Sequence, residues 1–164
     1  MRDRDLPDHP VIRAMERTGY PIGKAPMENR FAQEGDYMTE KVVVVTTEDE
    51  VSVRDLEVKD GSMLDSLQEI VGGYIEIVRT MGLDGSLVMV VNEDGLNLKL
   101  KPNLIGSVLY GTPAHGHPIV GNIVIMGHGY RNGEPDIMGL STIFAEALAS
   151  RLKHFVKRFK EEKQ

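Results

Sequence analysis

Two apolar runs constrain this chain more than any other feature: Lys41-Val42-Val43-Val44-Val45-Thr46 and Leu87-Val88-Met89-Val90-Val91. Both are short, the first is almost wholly β-branched, and neither alternates with polar residues. That is the pattern of strands covered on both faces. Such strands need an apolar core around them, and a chain of 164 residues that is 41% hydrophobic and 27% charged has the length and composition for one.

The rest of the body supplies partners for these strands. Ser62 can cap a helix whose apolar positions are Met63, Leu64, Leu67, Ile70 and Val71, with Asp65 reaching back as in a capping box and Gly72-Gly73 ending it. Tyr74 to Val78 alternates and reads as a strand, and Met81 to Gly85 as a turn. Asp94-Gly95 predicts a tight reversal with positive φ, followed by a half-exposed return strand in which Leu96, Leu98 and Leu100 alternate with Asn97, Lys99 and Lys101. Asn103 can cap a short helix to about Tyr110. A Gly/Pro/His loop from Gly111 to Pro118 then leads into a strand over 119–126, a second polar loop and a C-terminal helix from about Ser141. The predicted order is β-β-α-β-β-β-α-β-α. The expected fold class is α+β: a mixed, mainly antiparallel sheet with helices packed on one side, preceded by a short N-terminal appendage.

That appendage is residues 1–37, and the single domain is residues 38–164. One helix is predicted in the appendage, over Pro10 to Thr18, with Asp8 as N-cap and Gly19 as the stop. The stretch from Tyr20 through Asp36 has the composition of a linker. Gln33-Glu34-Gly35-Asp36-Tyr37-Met38 can be encoded by a purine-rich stretch resembling a translated ribosome-binding site. Two readings follow: an upstream frame joined to a start at Met38, or an ordinary N-terminal arm.

Charge is segregated along the chain. The formal net charge of −6 divides into −2 over residues 1–40, −8 over 41–150 and +4 over 151–164. In the C-terminal helix Phe144, Leu148, Leu152, Phe155 and Phe159 form one apolar stripe, with Arg151, Lys153, Lys157, Arg158 and Lys160 around it. The plain reading is a helix docked by its stripe, with cations complementing the dipole. The sharper readings are a nucleic-acid contact or an oligomer seam, and three phenylalanines on one helix predict a homo-oligomer. The overall negative charge argues against a general phosphate-backbone binder. No run is long enough for a membrane helix, no secretion signal is present and there is no cysteine, so a cytoplasmic protein without membrane contact is expected.

Several short words carry a resemblance. Gly72-Gly73-Tyr74-Ile75-Glu76, Val91-Asn92-Glu93-Asp94-Gly95, Leu100-Lys101-Pro102-Asn103 and Ile119-Val120-Gly121-Asn122-Ile123-Val124 together make residues 40–127 similar to the family called domain of unknown function 3846. The resemblance implies an origin in Gram-positive bacteria, their phages and mobile elements, and implies no activity. His9-Pro10 through Gly19-Tyr20-Pro21 resembles the opening of short phage-associated proteins of unknown function. The family words also have mechanical explanations in turns and caps. Glu76 is the exception, and an exposed position is expected for it.

The one cluster with metal or acid–base character is His115-Gly116-His117 with His128 and, downstream, Glu134 and Asp136. The three histidines could converge at one end of the sheet. A hydrolytic metal would need three such ligands and an open water position. Glycines between the histidines and the lack of a His-Glu helix pair argue against a preorganised metal shell, so neither metal nor other cofactor is expected. There is no phosphate-binding Walker loop, no Gly-x-Ser-x-Gly elbow and no dinucleotide fingerprint. Catalytic residues are not assigned. The leading expectation is a non-enzymatic accessory protein of a phage or mobile element that binds a host small molecule, anionic and nucleotide-like, such as a defence signal. Its predicted contacts are Asn92, Glu93, His115, His117, His128, Tyr130 and Arg131. The alternatives are an acidic inhibitor of a host protein, of the DNA-mimicking kind, and a histidine-cluster metal-dependent hydrolase.

Overall fold

The computed structural model describes residues 39–81 and 86–162. The predicted Pro10 to Thr18 helix, the linker and most of the Met81 to Gly85 turn lie outside the described residues. The chain runs β1 (Thr39–Val45), β2 (Val51–Glu57), α1 (Leu64–Val71), β3 (Ile75–Arg79), β4 (Leu87–Asn92), α2 (Leu104–Tyr110), α3 (Thr112–His115), β5 (Ile123–Arg131), β6 (Glu134–Met138) and α4 (Thr142–Glu162). The strands form one sheet in the order β2-β1-β5-β4-β3, with β6 also on β5. Every pairing between them is antiparallel. The fold is α+β, as expected.

β5 is long enough to serve two neighbours on one side. Its first residues pair with β1, Val43 opposite Ile125, and beyond Gly127 it pairs with β6. A bridge between Lys41 and Leu140 joins β1 to the chain just past β6. Along the strands, alternate residues divide into two cores. Val43, Val45, Met89, Val91, Ile123 and Ile125 pack with Ile105 and Leu109 of α2 and with the inner face of α4. Val42, Val44, Val88, Val90, Val124 and Met126 pack with Leu67 and Val71 of α1. Helices therefore cover both faces, not one. This corrects the one-sided expectation, and the reason lies in the runs themselves: a strand without polar alternation leaves no face for water.

Three further elements differ from expectation. Leu96 to Leu100 is not a return strand; it forms turns, with Leu96 54% and Leu98 57% exposed. β4 already has β3 on one side and β5 on the other, so no ladder position is open to the chain that follows it. Gly95 keeps negative φ, and the left-handed residue of this segment is Lys99 at φ 55. The strand predicted over 119–126 begins instead at Ile123, because Gly121 turns the backbone at φ 82, and it runs on to Arg131. The polar loop after it is a hairpin to β6, turned by Asn132 and Gly133 at φ 53 and 81, the pair of positive angles a two-residue turn requires. α1 starts one residue later than predicted, with Met63 at its cap position, although the Ser62 hydroxyl accepts the Leu64 N–H at 3.2 Å.

α4 resolves the question of the phenylalanine stripe. Phe144, Leu148, Leu152 and Phe155 are buried against the sheet, and Phe159 stacks on Phe155 with centroids 5.9 Å apart. The apolar payload is covered within one chain, so the stripe is not an exposed seam and gives no support for a homo-oligomer. Its inner face makes the helix a lid over β1 and β2. Exposed pairs tie the surface together. Lys101 holds Glu48 at 2.7 Å and keeps its carboxyl below the ordinary carboxylate range, chiefly by that hydrogen bond. Glu76 is exposed, as expected. Among the described residues no helix is long and apolar enough to cross a membrane.

Candidate functional site

The seven predicted contact residues occupy three separate places. Asn92 is the last residue of β4 and Glu93 follows it, its N–H donating to Tyr74 O at 2.9 Å. Asn92 is 5% exposed and its side chain is committed to the backbone: its amide donates to Val71 O at 3.0 Å and its carbonyl accepts from Asp94 N at 2.8 Å. It joins the end of α1 to the turn after β4. Glu93 is exposed in that turn.

His128 and Tyr130 lie toward the other end of β5, on the extension that pairs with β6. The His128 N–H donates to Ser86 O at 2.8 Å. Its ring lies 6.4 Å from that of Tyr130 and alternates with Val124 and Met126, on the α1 face of the sheet. Glu134 is exposed and Asp136 half-buried on β6. Arg131 ends β5, and its side chain lies outside the described residues.

His115 and His117 are on the opposite face, next to α2, which covers part of the first core. Gly111, at φ 79, ends α2, and the single turn of α3 folds His115 back over Tyr110. The two rings stack with centroids 4.2 Å apart and planes 20° from parallel. Gly116, at φ 85, reverses the chain again and brings His117 to Tyr110, with ring centroids 5.4 Å apart and Nε2 3.5 Å from the hydroxyl. Both imidazoles are exposed and Tyr110 is half-buried. The three histidines thus do not converge, because the alternation of β5 and the placement of α2 put them on opposite sides of the sheet. Among the described residues no three His, Asp or Glu side chains gather as a metal site would need.

Sequence reasoning missed Tyr110 as a site residue. It is the platform that holds both histidines, and its signal was its place immediately before the helix-ending Gly111. The corner also holds two unsatisfied groups. The hydroxyls of Thr80, 6% exposed, and Thr112 have no hydrogen-bond partner among the described residues. Met81 N–H, next to Thr80, donates to Leu109 O at 3.0 Å and packs the β3 end against this corner. An unpaired buried hydroxyl costs more than an apolar group of the same shape. Thr80→Val is expected to raise stability by about 1 kcal/mol in chemical denaturation, and a loss of stability would show that the hydroxyl is bonded in solution.

A shallow groove of about 240 Å³ opens on the α1 face between Met63, Leu67, Glu40, Ile75 and Ile137. None of the seven predicted residues lines it. Glu40 there accepts the Gly139 N–H at 2.7 Å, fastening β1 to the segment after β6.

A family model described as Domain of unknown function (DUF3846) matches residues 38–150. No curated protein matches the sequence. The structure is similar to a crystal structure of small RNA methyltransferase HEN1, with a TM-score of 0.47 and 16% identity over 87% of this chain and 21% of that one. The chain spans about a fifth of that protein's length, and nothing of its activity is carried over.

Proposed function

Because the chain belongs to the family described as Domain of unknown function (DUF3846), whose description brings no chemistry with it, we propose that the protein acts by binding. It serves a phage or mobile element as a non-enzymatic accessory that captures a small, planar, anionic host molecule of nucleotide type. The observation that carries this reading is the Tyr110–His115–His117 ring cluster, in which two exposed imidazoles are held on one tyrosine, one by the single turn of α3 and the other by the chain reversal at Gly116. Exposed rings offer a stacking face for a base, and imidazole N–H groups donate to phosphate oxygens. Loss of one stacking ring costs about 1–3 kcal/mol, or roughly 5- to 150-fold in affinity.

Calorimetric titration of the full chain with linear and cyclic nucleotides tests this. His115→Ala and His117→Ala are expected to weaken binding at least about tenfold, while His128→Ala, on the other face, leaves it unchanged. Equal loss in all three variants, or no nucleotide bound by the parent protein, would refute the ring cluster as the site. The reading as an acidic inhibitor of a host protein draws support from one different feature: edge strand β3, where Ile77 is 48% and the preceding Tyr74 69% exposed.

A further inference from the structure

β3 is the sheet edge that the chain leaves least protected. Among the described strands, β2, β3 and β6 each pair on one side only. The exposed residues of β2 are Arg54, Asp55 and Glu57, and β6 begins Glu134-Pro135-Asp136, charges and a proline of the kind that keep edges from pairing. β3 carries Glu76 and Arg79, but Ile77, at its centre, is 48% exposed. Its backbone has free groups on the open side. Glu93 N–H donates to Tyr74 O, and the register that sets Ile75 opposite Asn92 continues that ladder, so Glu76 and Val78 turn their N–H and C=O toward β4. Ile75, Ile77 and Arg79 therefore turn theirs outward. We infer that β3 is the seam of a homodimer, in which β3 of a second copy adds antiparallel across this edge with Ile77 opposite Ile77.

The register follows from the strand itself. A two-fold dimer matches a surface to itself, and the two-fold between antiparallel strands lies normal to the sheet, so each face stays on its own side. Only residues of one face stand opposite each other. Of the registers that overlap most of the strand, this leaves those centred on Glu76, Ile77 or Val78. Centring on Glu76 sets two carboxylates directly opposite, a destabilising pair. Centring on Val78 matches only Ile77 with Arg79 among the outward residues, since Met81 N–H is already given to Leu109 O. Centring on Ile77 matches Ile75 with Arg79 and Ile77 with itself, so all three outward residues of each copy exchange both their backbone bonds. Glu76 then stands opposite Val78, and the two Glu76 carboxylates meet only on the diagonal, roughly 7–8 Å apart. Ile77 lies on the α1 face, opposite Val90 of that core, and the pairing covers its exposed side chain with its own copy. A strand of unrelated sequence offers the same hydrogen bonds, but the fit of β3 to itself at every outward position favours a second copy. The seam is thus β3 and not the phenylalanine stripe of α4.

Sedimentation of the full chain over a concentration series tests this, and a reversible monomer–dimer equilibrium is expected. Ile77→Lys puts two ammonium groups where the isoleucines meet and should weaken the dimer at least about tenfold. An unchanged thermal melt, at a concentration where the parent is monomeric, confirms that this variant folds. The register has its own readout. The chain has no cysteine, so Ile77→Cys carries a single thiol. Residues opposite in a hydrogen-bonded pair have Cα atoms about 5.5 Å apart, within reach of a disulfide. Under mild oxidation Ile77→Cys should form a covalent dimer at least about tenfold faster than Glu76→Cys or Val78→Cys, whose copies lie beyond that reach. His115→Ala with His117→Ala should leave dimerisation intact, which separates this seam from the nucleotide site. A mass that stays monomeric to about 1 mM, dimerisation unchanged in Ile77→Lys, or faster cross-linking at position 76 or 78 would overturn the inference, the first leaving the edge to a strand of another protein.

Discussion

Asn103→Ala is expected to destabilise the domain by about 4 kcal/mol, the largest effect of any single polar substitution considered. Asn103 has no exposed surface and every polar atom of its side chain is in use. Its Oδ1 accepts the Gly106 N–H at 2.9 Å and so caps α2. Its amide donates to Val45 O and to Gly121 O, both at 3.0 Å, and so ties the end of β1 to the approach to β5. Alanine would remove the acceptor of the buried Gly106 N–H and both side-chain donations to the Val45 and Gly121 carbonyls, each at a cost of about 1 kcal/mol or more. Asn103→Asp separates the two roles, since it keeps the cap acceptor and replaces the donors with an oxygen facing two carbonyls. It should be at least as damaging at neutral pH. Urea denaturation of the two variants checks this; an aspartate variant as stable as the parent would mean that only the cap matters.

Gly95→Ala is expected to cost about 2 kcal/mol, for a reason unlike the one its neighbours suggest. Asp94-Gly95 has the composition of a positive-φ hairpin turn, yet Gly95 does not adopt positive φ. It is buried, and a Cβ there would lie 2.7 Å from Val120 Cγ2 and 3.4 Å from Asn92 O. Valine is stiff at χ1 and cannot swing aside. Close approach, not backbone conformation, excludes a side chain. Valine at position 95 should be worse still. Replacing Val120 with alanine as well should recover about 1 kcal/mol of the loss, a coupling that a double-mutant cycle reads directly. Additive losses would show that strain in the turn backbone is responsible.

How much of this was legible beforehand depends on what each residue had to reveal. The two apolar runs identified β1 and β4 and implied cover on both faces, so the one-sided helix layer disagreed with the chain's own pattern. Asn103 was recognisable as a cap, because capping is local; its two long-range donations were not, since nothing near it in sequence names Val45 or Gly121. Asn132-Gly133 was a strong hairpin signal flanked by polar residues, and its polarity hid the strands on either side. Leu96, Leu98 and Leu100 gave the opposite error: alternation is a property of half-covered strands, but a strand also needs an open ladder edge. For the candidate site, the identity of His115 and His117 was readable and their separation from His128 was not, because face assignment depends on where β5 begins. One residue of register decides it.

α4 has a consequence for how the protein is made. Seven of the nineteen buried residues of the first core belong to this helix, and it is the last element of the described chain. A ribosome therefore releases the whole sheet before the residues that shield one of its faces have left the exit tunnel. Until Leu152, Phe155 and Val156 emerge, Val43, Met89 and Ile125 face water beside the open edges of β2 and β3, a combination that favours aggregation over folding. The match to the family model ends at residue 150, inside that helix. Chains cut there would carry the family's signature and still lack more than half of the lid, the twelve residues from Arg151 to Glu162, so expression boundaries for this protein belong beyond Phe159.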